Sequence, residues 1–230
     1  MPKSAEKKVQ MEAYKTHFVF QLMDKCLAHF AGPLFDEEVR IAKQQFFDNA
    51  GILEENSPSY ELRMCQFFDW YFFTRLLTGY GHTVLNSLHQ TRELRFLPEE
   101  EELITSLKKH RHSLFEFIKI KGEDVYLRDL LSQEKLIVTK SPYIYGFDPE
   151  EIFEARLVPL KDGYLFCRGF CFHPGDAKKF ILSQIKIHRK NPDLNPQEMM
   201  LRLLKMRYKF ERYRHVKIHD IYSDENKVGL

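Results

Sequence analysis

The chain has 230 residues, 43% hydrophobic and 30% charged, enough to bury a proper core in one or two domains, with no internal repeat and no low-complexity segment. A net charge of +2 implies no polyanionic partner by itself, and no apolar run approaches the roughly 20 residues that span a bilayer. Four scattered cysteines, Cys26, Cys65, Cys167 and Cys171, suggest no disulfide framework. The opening MPKSAEKKVQMEAYK has basic residues with no apolar stretch behind them, so a signal peptide is not expected. The expectation is a cytoplasmic protein with reduced thiols.

In chain order, residues 5–31 place Met11, Tyr14, Phe18, Leu22, Cys26 and Phe30 at steps of three or four, an amphipathic helix. A second helix is expected from Asp36, as N-cap, to Gly51, as the residue after the last turn. A third starts at Ser57-Pro58 and runs to about Gly79. A short helix covers 83–92, and another opens at Pro98 with glutamates suited to a positive helix N-terminus. From about residue 113 the pattern becomes short β-like runs: LFEFIKI, DVYL, KLIVT, YIYGF, IFEARLVPL and GYLFCRGFCF. These predict a small antiparallel meander or barrel of five or six strands. Helices return at 176–190 and 195–214. The fold class is α+β: a helical region over 1–112, a small β-domain over 113–173, and basic C-terminal helices with a tail over 174–230.

The third helix carries FFDWYFF, one carboxylate among six aromatic residues. A helix apolar nearly all round is normally central. Asp69 on it is then either a general acid with a raised pKa or a structural acid accepting backbone N–H groups. The structural reading is favoured, with the Gly79–Thr83 connection as the expected donor. Arg75 lies on the wrong side of the helix to be its partner.

F-D-W with its aromatic flank, then Leu127-Arg128-Asp129-Leu130-Leu131, Ala155-Arg156-Leu157-Val158-Pro159 and a short G-Y-L-F strand, resembles a family of uncharacterised bacterial proteins over roughly residues 60–175. Some relatives carry a C-terminal zinc-binding tail similar to that of SecA, the SEC-C motif. The resemblance implies a helical layer plus a small β-domain, and no catalysis to carry over. Residues 174–230 contain no cysteine, so that tail is absent.

Cys167-Arg-Gly-Phe-Cys171-Phe-His173 has the ligand types of a metal site. Four residues of strand, however, span about 13 Å, too far for two thiolates with Zn–S bonds of about 2.3 Å. The cysteines are therefore taken as core residues, and no metal and no cofactor is expected. No nucleophile elbow, P-loop or dinucleotide motif occurs. An enzyme of unrecognised class is the third functional reading.

Two basic features carry the binding hypothesis. If Lys161-Asp162-Gly163 closes a three-residue hairpin loop, Leu157 faces Cys167 and Arg156 sits opposite Arg168. Like charges across a pair need an internal acid or an anion between them. Phe153, Ala155, Leu157, Leu165, Cys167 and Cys171 would then form the apolar face. In the last helix Met199, Leu203, Met206, Phe210 and Tyr213 form a heptad-like seam. Arg202, Lys205, Lys209 and Arg212 run beside it, and Arg207 and Arg214 flank its other side. Residues 178–217 hold 12 of the 35 Lys/Arg and 3 of the 33 Asp/Glu. The seam docks on the protein's own helical layer, or the cations meet nucleic acid with Tyr208 and Tyr213 stacking, or the seam pairs with another protein or copy. The expected function is a non-enzymatic cytoplasmic binding or adaptor protein, with nucleic-acid binding as the alternative. Its partner is an unknown protein or a second copy, and no membrane is involved.

Overall fold

The computed structural model describes residues 17–141 and 146–224. Five helices come first: α1 (Phe18–Phe30), α2 (Asp36–Ala50), α3 (Tyr60–Phe73), the single turn α4 (Val84–Ser87) and α5 (Pro98–Leu107). The expected first helix falls inside the described residues only from Phe18. Helix α2 closes at Gly51, whose φ of +93° suits a residue without Cβ. The Arg63 guanidinium crosses from α3 and donates to the carbonyls of Ala50, Gly51 and Ile52, serving the orphan acceptors at the end of α2. Helix α3 is shorter than its sequence pattern. It begins at Tyr60, and it ends at Phe73 rather than near Gly79. Arg75 then turns back to an ion pair with Glu38.

Five strands follow: β1 (Arg111–Lys121), β2 (Asp124–Asp129), β3 (Lys135–Val138), β4 (Ile152–Leu160) and β5 (Gly163–His173). They close into a barrel in the order β1-β2-β3-β5-β4. The long β1 pairs with β4 through 111–116 and with β2 through 115–121. The pairing is antiparallel except where β3 meets β5 in parallel, at Val138 and Tyr164. A meander would set β3 beside β4. Here the β4–β5 hairpin lies the other way round, which puts β5 beside β3 and makes the sheet mixed. This order, with its single parallel pair, is that of an OB-type barrel. The YIYGF run lies mostly at 142–145, outside the described residues.

The hairpin joins Leu160 directly to Gly163 and leaves a two-residue loop. Pairing is therefore displaced from the three-residue-loop expectation, and Leu157 faces Phe166 instead of Cys167. A bulge then sets Ala155 against Phe170. Phe153, Ala155, Leu157, Phe166 and Phe170 fill the barrel with Phe115, Leu127 and Val138. Leu165, Cys167 and Cys171 face the other way, into the core of the helical layer. The expected apolar face is thus two faces. One residue of register exchanges inside for outside because side chains alternate along a strand.

Helices α6 (Lys178–Lys190) and α7 (Pro196–Arg212) and the turn α8 (Ile218–Ile221) complete the fold. Asn195 caps α7 through Gln197 N–H at 3.0 Å, with Pro196 opening the helix. Met199, Leu203 and Met206 are buried in a core shared with α6 and with Leu114, Leu130 and Ile152 of the barrel side. The α7 seam is therefore internal from Met199 to Met206, with Phe210 partly buried and Tyr213 at a surface cleft. No described helix is long and apolar enough to cross a membrane.

Candidate functional site

The α3–β5 contact brings together a group of buried ionisable side chains. Gly169 makes it possible: a Cβ there would sit 2.9 Å from Asp69 Oδ2 and 3.0 Å from Gln66 Cα. Its N–H donates to Asp69 Oδ2 at 2.8 Å. The backbone donor for Asp69 is thus in β5, not in the Gly79–Thr83 connection. Gln66 ties the same seam, donating to the Phe170 carbonyl and accepting from Tyr208 of α7 at 2.9 Å.

Beyond Asp69 stand Arg156 and Glu154 from β4, His112 from β1 and Gln197 from α7. Arg156 is 3% exposed. Its Nη2 donates to Thr74 Oγ1 at 2.9 Å, and its guanidinium lies 4.9 Å from the Phe73 ring centre. His112 Nε2 is 2.9 Å from Glu154 Oε1, while Nδ1 is 2.7 Å from the Gln197 amide oxygen and 3.2 Å from Arg156 Nη2. Burial and the Arg156 charge hold the His112 pKa below its usual value, against the opposing pull of Glu154. Burial pushes Asp69 up to about 6, although Arg156, the Gly169 N–H and Arg168 all favour its charged form. Desolvation wins because the carboxylate has few donors of its own.

A cavity of about 30 Å³ lies among these groups. Arg156 Nε and Nη1 and Glu154 Oε2 are buried with no hydrogen-bond partner among the described residues. A polar space of this size suits a water or two, at about 10–15 Å³ each, and is too small for an organic substrate. The cluster joins α3, β1, β4, β5 and α7 at one point and works as an internal fastening.

Arg156 and Arg168 do not form a shared open anion site. Strict alternation from Phe166 and Phe170 would send Arg168 into the barrel. The bulge turns it out to Asp24 of α1, at 2.5 and 2.8 Å, with Phe20 beneath it at 4.7 Å. Cys167 and Cys171 are buried, with their thiol pKa values raised by desolvation, and His173 meets the Tyr222 hydroxyl at 3.0 Å. Among the described residues no group of three His, Cys, Asp or Glu is placed to hold a metal ion.

The C-terminal cations are divided. Arg202 bonds Gln184 and Asp224, and Arg207 donates to the Phe172 carbonyl and pairs with Glu211. Lys205, Lys209 and Arg212 gather with Tyr208 and Tyr213 around a cleft of about 280 Å³ against Phe47 and Ile52. Arg212 and Arg214 line an adjoining cleft of about 320 Å³ over Ser57–Ser59. Arg212 also meets Glu54 at 3.5 Å, and Lys205 donates to the Asp48 carbonyl at 2.7 Å. Tyr208, an expected stacking residue, is instead engaged with Gln66 and with the Arg63 guanidinium 3.8 Å from its ring centre.

The barrel supplies a surface that the sequence reading missed. Among the described residues, helices cover β4 and β5 and leave the outer face of β2, β3 and the end of β1 exposed. A cross-strand row runs Lys119–Tyr126–Ile137, and a second runs Glu116–Arg128–Lys135. Lys119 Nζ lies 5.0 Å from the centre of the half-exposed Tyr126 ring, and Ile137 is 38% exposed. The alternation of DVYLRD and KLIV carries this face in the sequence, provided β2 and β3 are recognised as neighbours.

The chain belongs to a family of unknown function, DUF7986, whose model matches residues 36–220. The match takes in the helical layer from α2 onward, the whole barrel and the C-terminal helices through most of α8. No curated protein and no solved structure shows a significant match to it.

Proposed function

We propose that this member of a family of unknown function is a non-enzymatic, cytoplasmic binding protein that takes a polyanion on the open face of its barrel. The observation that carries the reading is the uncovered β1–β2–β3 face, where Lys119 and Arg128 flank Tyr126 and Lys135 flanks Ile137. In OB-type barrels this is the face that receives extended ligands, but one fold hosts many functions, and it is the side chains that favour a polyanion here. Chemistry at the Asp69 cluster is disfavoured by the size of its cavity. The cysteines, free and mostly buried, agree with a reducing compartment.

A second reading keeps the adaptor role and places it in the cleft beside α7. Ile52 stands 70% exposed there beneath Lys205, Lys209 and Arg212, a combination that suits an acidic protein segment. Retention on immobilised heparin at low salt separates the two. The first reading expects wild type to be retained, Lys119→Glu/Lys135→Glu to elute early, and Lys205→Glu/Lys209→Glu to behave as wild type. The reverse pattern favours the cleft, and wild type in the flow-through rejects both surfaces as polyanion sites.

A further inference from the structure

We propose that the polyanion is single-stranded nucleic acid, with a base stacked on Tyr126 and phosphates held at both ends of the β2 strand. This rests on the polyanion reading above and names its ligand. The layout of the face is specific. Tyr126 sits in the middle of β2, paired with Lys119 on one side and Ile137 on the other. Two residues toward the β2 C-terminus, Arg128 pairs with Lys135. Two residues the other way, Asp124 pairs with Lys121, and its Oδ1 accepts the Lys140 N–H at 3.0 Å, which brings the exposed Lys140 to the same end. The ring therefore lies between two pairs of cations about 13 Å apart, four residues of strand, with Asp124 and Glu123 balancing Lys121 and Lys140 at one end.

The acids of this face are mostly engaged within the protein. Glu116 meets Lys178 at 3.5 Å and Arg128 at 4.0 Å, Glu134 pairs with Arg111, and Asp124 is bonded to the Lys140 backbone. Lys121, Lys135 and Lys140 have no ion pair among the described residues, and neither does Glu123 in the turn between β1 and β2. The cations suit any polyanion. The central ring is what selects: a sulfated polysaccharide has no π-face to lay on Tyr126, and a duplex keeps its bases inside the stack. A single strand offers both phosphates and free base faces, and stacking on a ring tolerates any sequence.

The experiment is fluorescence anisotropy with labelled mixed-sequence DNA and RNA of about 12 nucleotides, the matching duplex, and heparin as competitor. Wild type, Tyr126→Phe, Tyr126→Ala and Lys121→Ala/Lys135→Ala are compared after their melting temperatures are matched. Tyr126→Ala is expected to weaken single-strand binding about 5- to 150-fold, and Tyr126→Phe to restore it. The lysine pair is expected to flatten the log–log salt slope by about 1.4. DNA bound better than RNA, or the reverse, identifies the strand and supports the proposal. Equal affinity for duplex and single strand, or Tyr126→Ala binding like wild type while heparin still competes, overturns the nucleic-acid assignment and leaves the polyanion reading standing. Failure to bind any oligonucleotide or heparin at low salt overturns both.

Discussion

Replacing Asp69 by Asn tests whether burial or charge attraction rules the internal cluster. The amide keeps an oxygen for the Gly169 N–H and removes the ionisation. In the native protein burial raises the Asp69 pKa from 3.8 to about 6. The folded state therefore holds this proton more tightly than the unfolded state does. Below about pH 4 the side chain is neutral in both states and contributes its full stability. As pH rises toward 6 the unfolded chain ionises first, and that contribution is lost. At about 1.4 kcal/mol per pH unit the loss amounts to about 3 kcal/mol, complete by about pH 7. Glu38 and Glu100, whose pKa values are lowered, change stability in the opposite direction with pH, but they are present in both proteins and cancel in the difference. The assay is urea unfolding of wild type and Asp69→Asn at half-unit steps from pH 4 to 8. The wild-type stability minus that of the variant should fall between pH 4 and about pH 7 and then stay level. A flat difference, or one that rises with pH, would mean that Arg156 and the backbone donor outweigh desolvation, and would refute the dominance of burial at Asp69.

Gly169→Ala should destabilise the fold by about 1–3 kcal/mol, because the added methyl meets the Asp69 carboxylate and the α3 backbone and one of them must move. A urea midpoint within experimental scatter of wild type would show that α3 does not depend on this close approach. Ile137→Thr should leave stability within about 0.5 kcal/mol, since the side chain is partly exposed on the barrel's outer face, and should weaken oligonucleotide binding. Unchanged affinity in the anisotropy titration would remove Ile137 from the binding surface.

The helices, the strands and their order along the chain are legible in the sequence, because periodicity and caps are local. Pro98, Pro196 and Gly51 mark their termini as local chemistry requires. Non-local pairing is not legible in this way. Whether Arg156 sits opposite Arg168 depends on the loop length at Lys161-Asp162 and on a bulge that no local pattern announces. The internal cluster was half visible. Asp69 stands out among aromatics, but His112 and Gln197 are far from it in sequence, and Glu154 and Arg156 look like the polar alternation of an ordinary half-exposed strand. In fact β4 is buried along most of its length, with the barrel on one side and helices on the other, so its polar residues are interior. The α7 seam was clear as a pattern while its partner was not: a heptad-like stripe looks the same whether it packs on its own barrel or on another chain. With Leu203 fully buried, Leu203→Asp would disrupt the fold itself rather than separate two copies.

The same contrast between strands explains why the open face is where it is. On β4 the outward positions are Ile152, Glu154, Arg156 and Val158, and on β5 they include Leu165, Cys167 and Cys171, so these strands need the helical layers above them. On β2 and β3 the outward positions are Asp124, Tyr126, Arg128, Lys135 and Ile137, which need no cover. Ile137 is an aliphatic residue left exposed beside a tyrosine and framed by lysines. A single exposed aliphatic residue is ordinary on a protein surface; what sets this face apart is Ile137 together with the Tyr126 ring and the lysines around them.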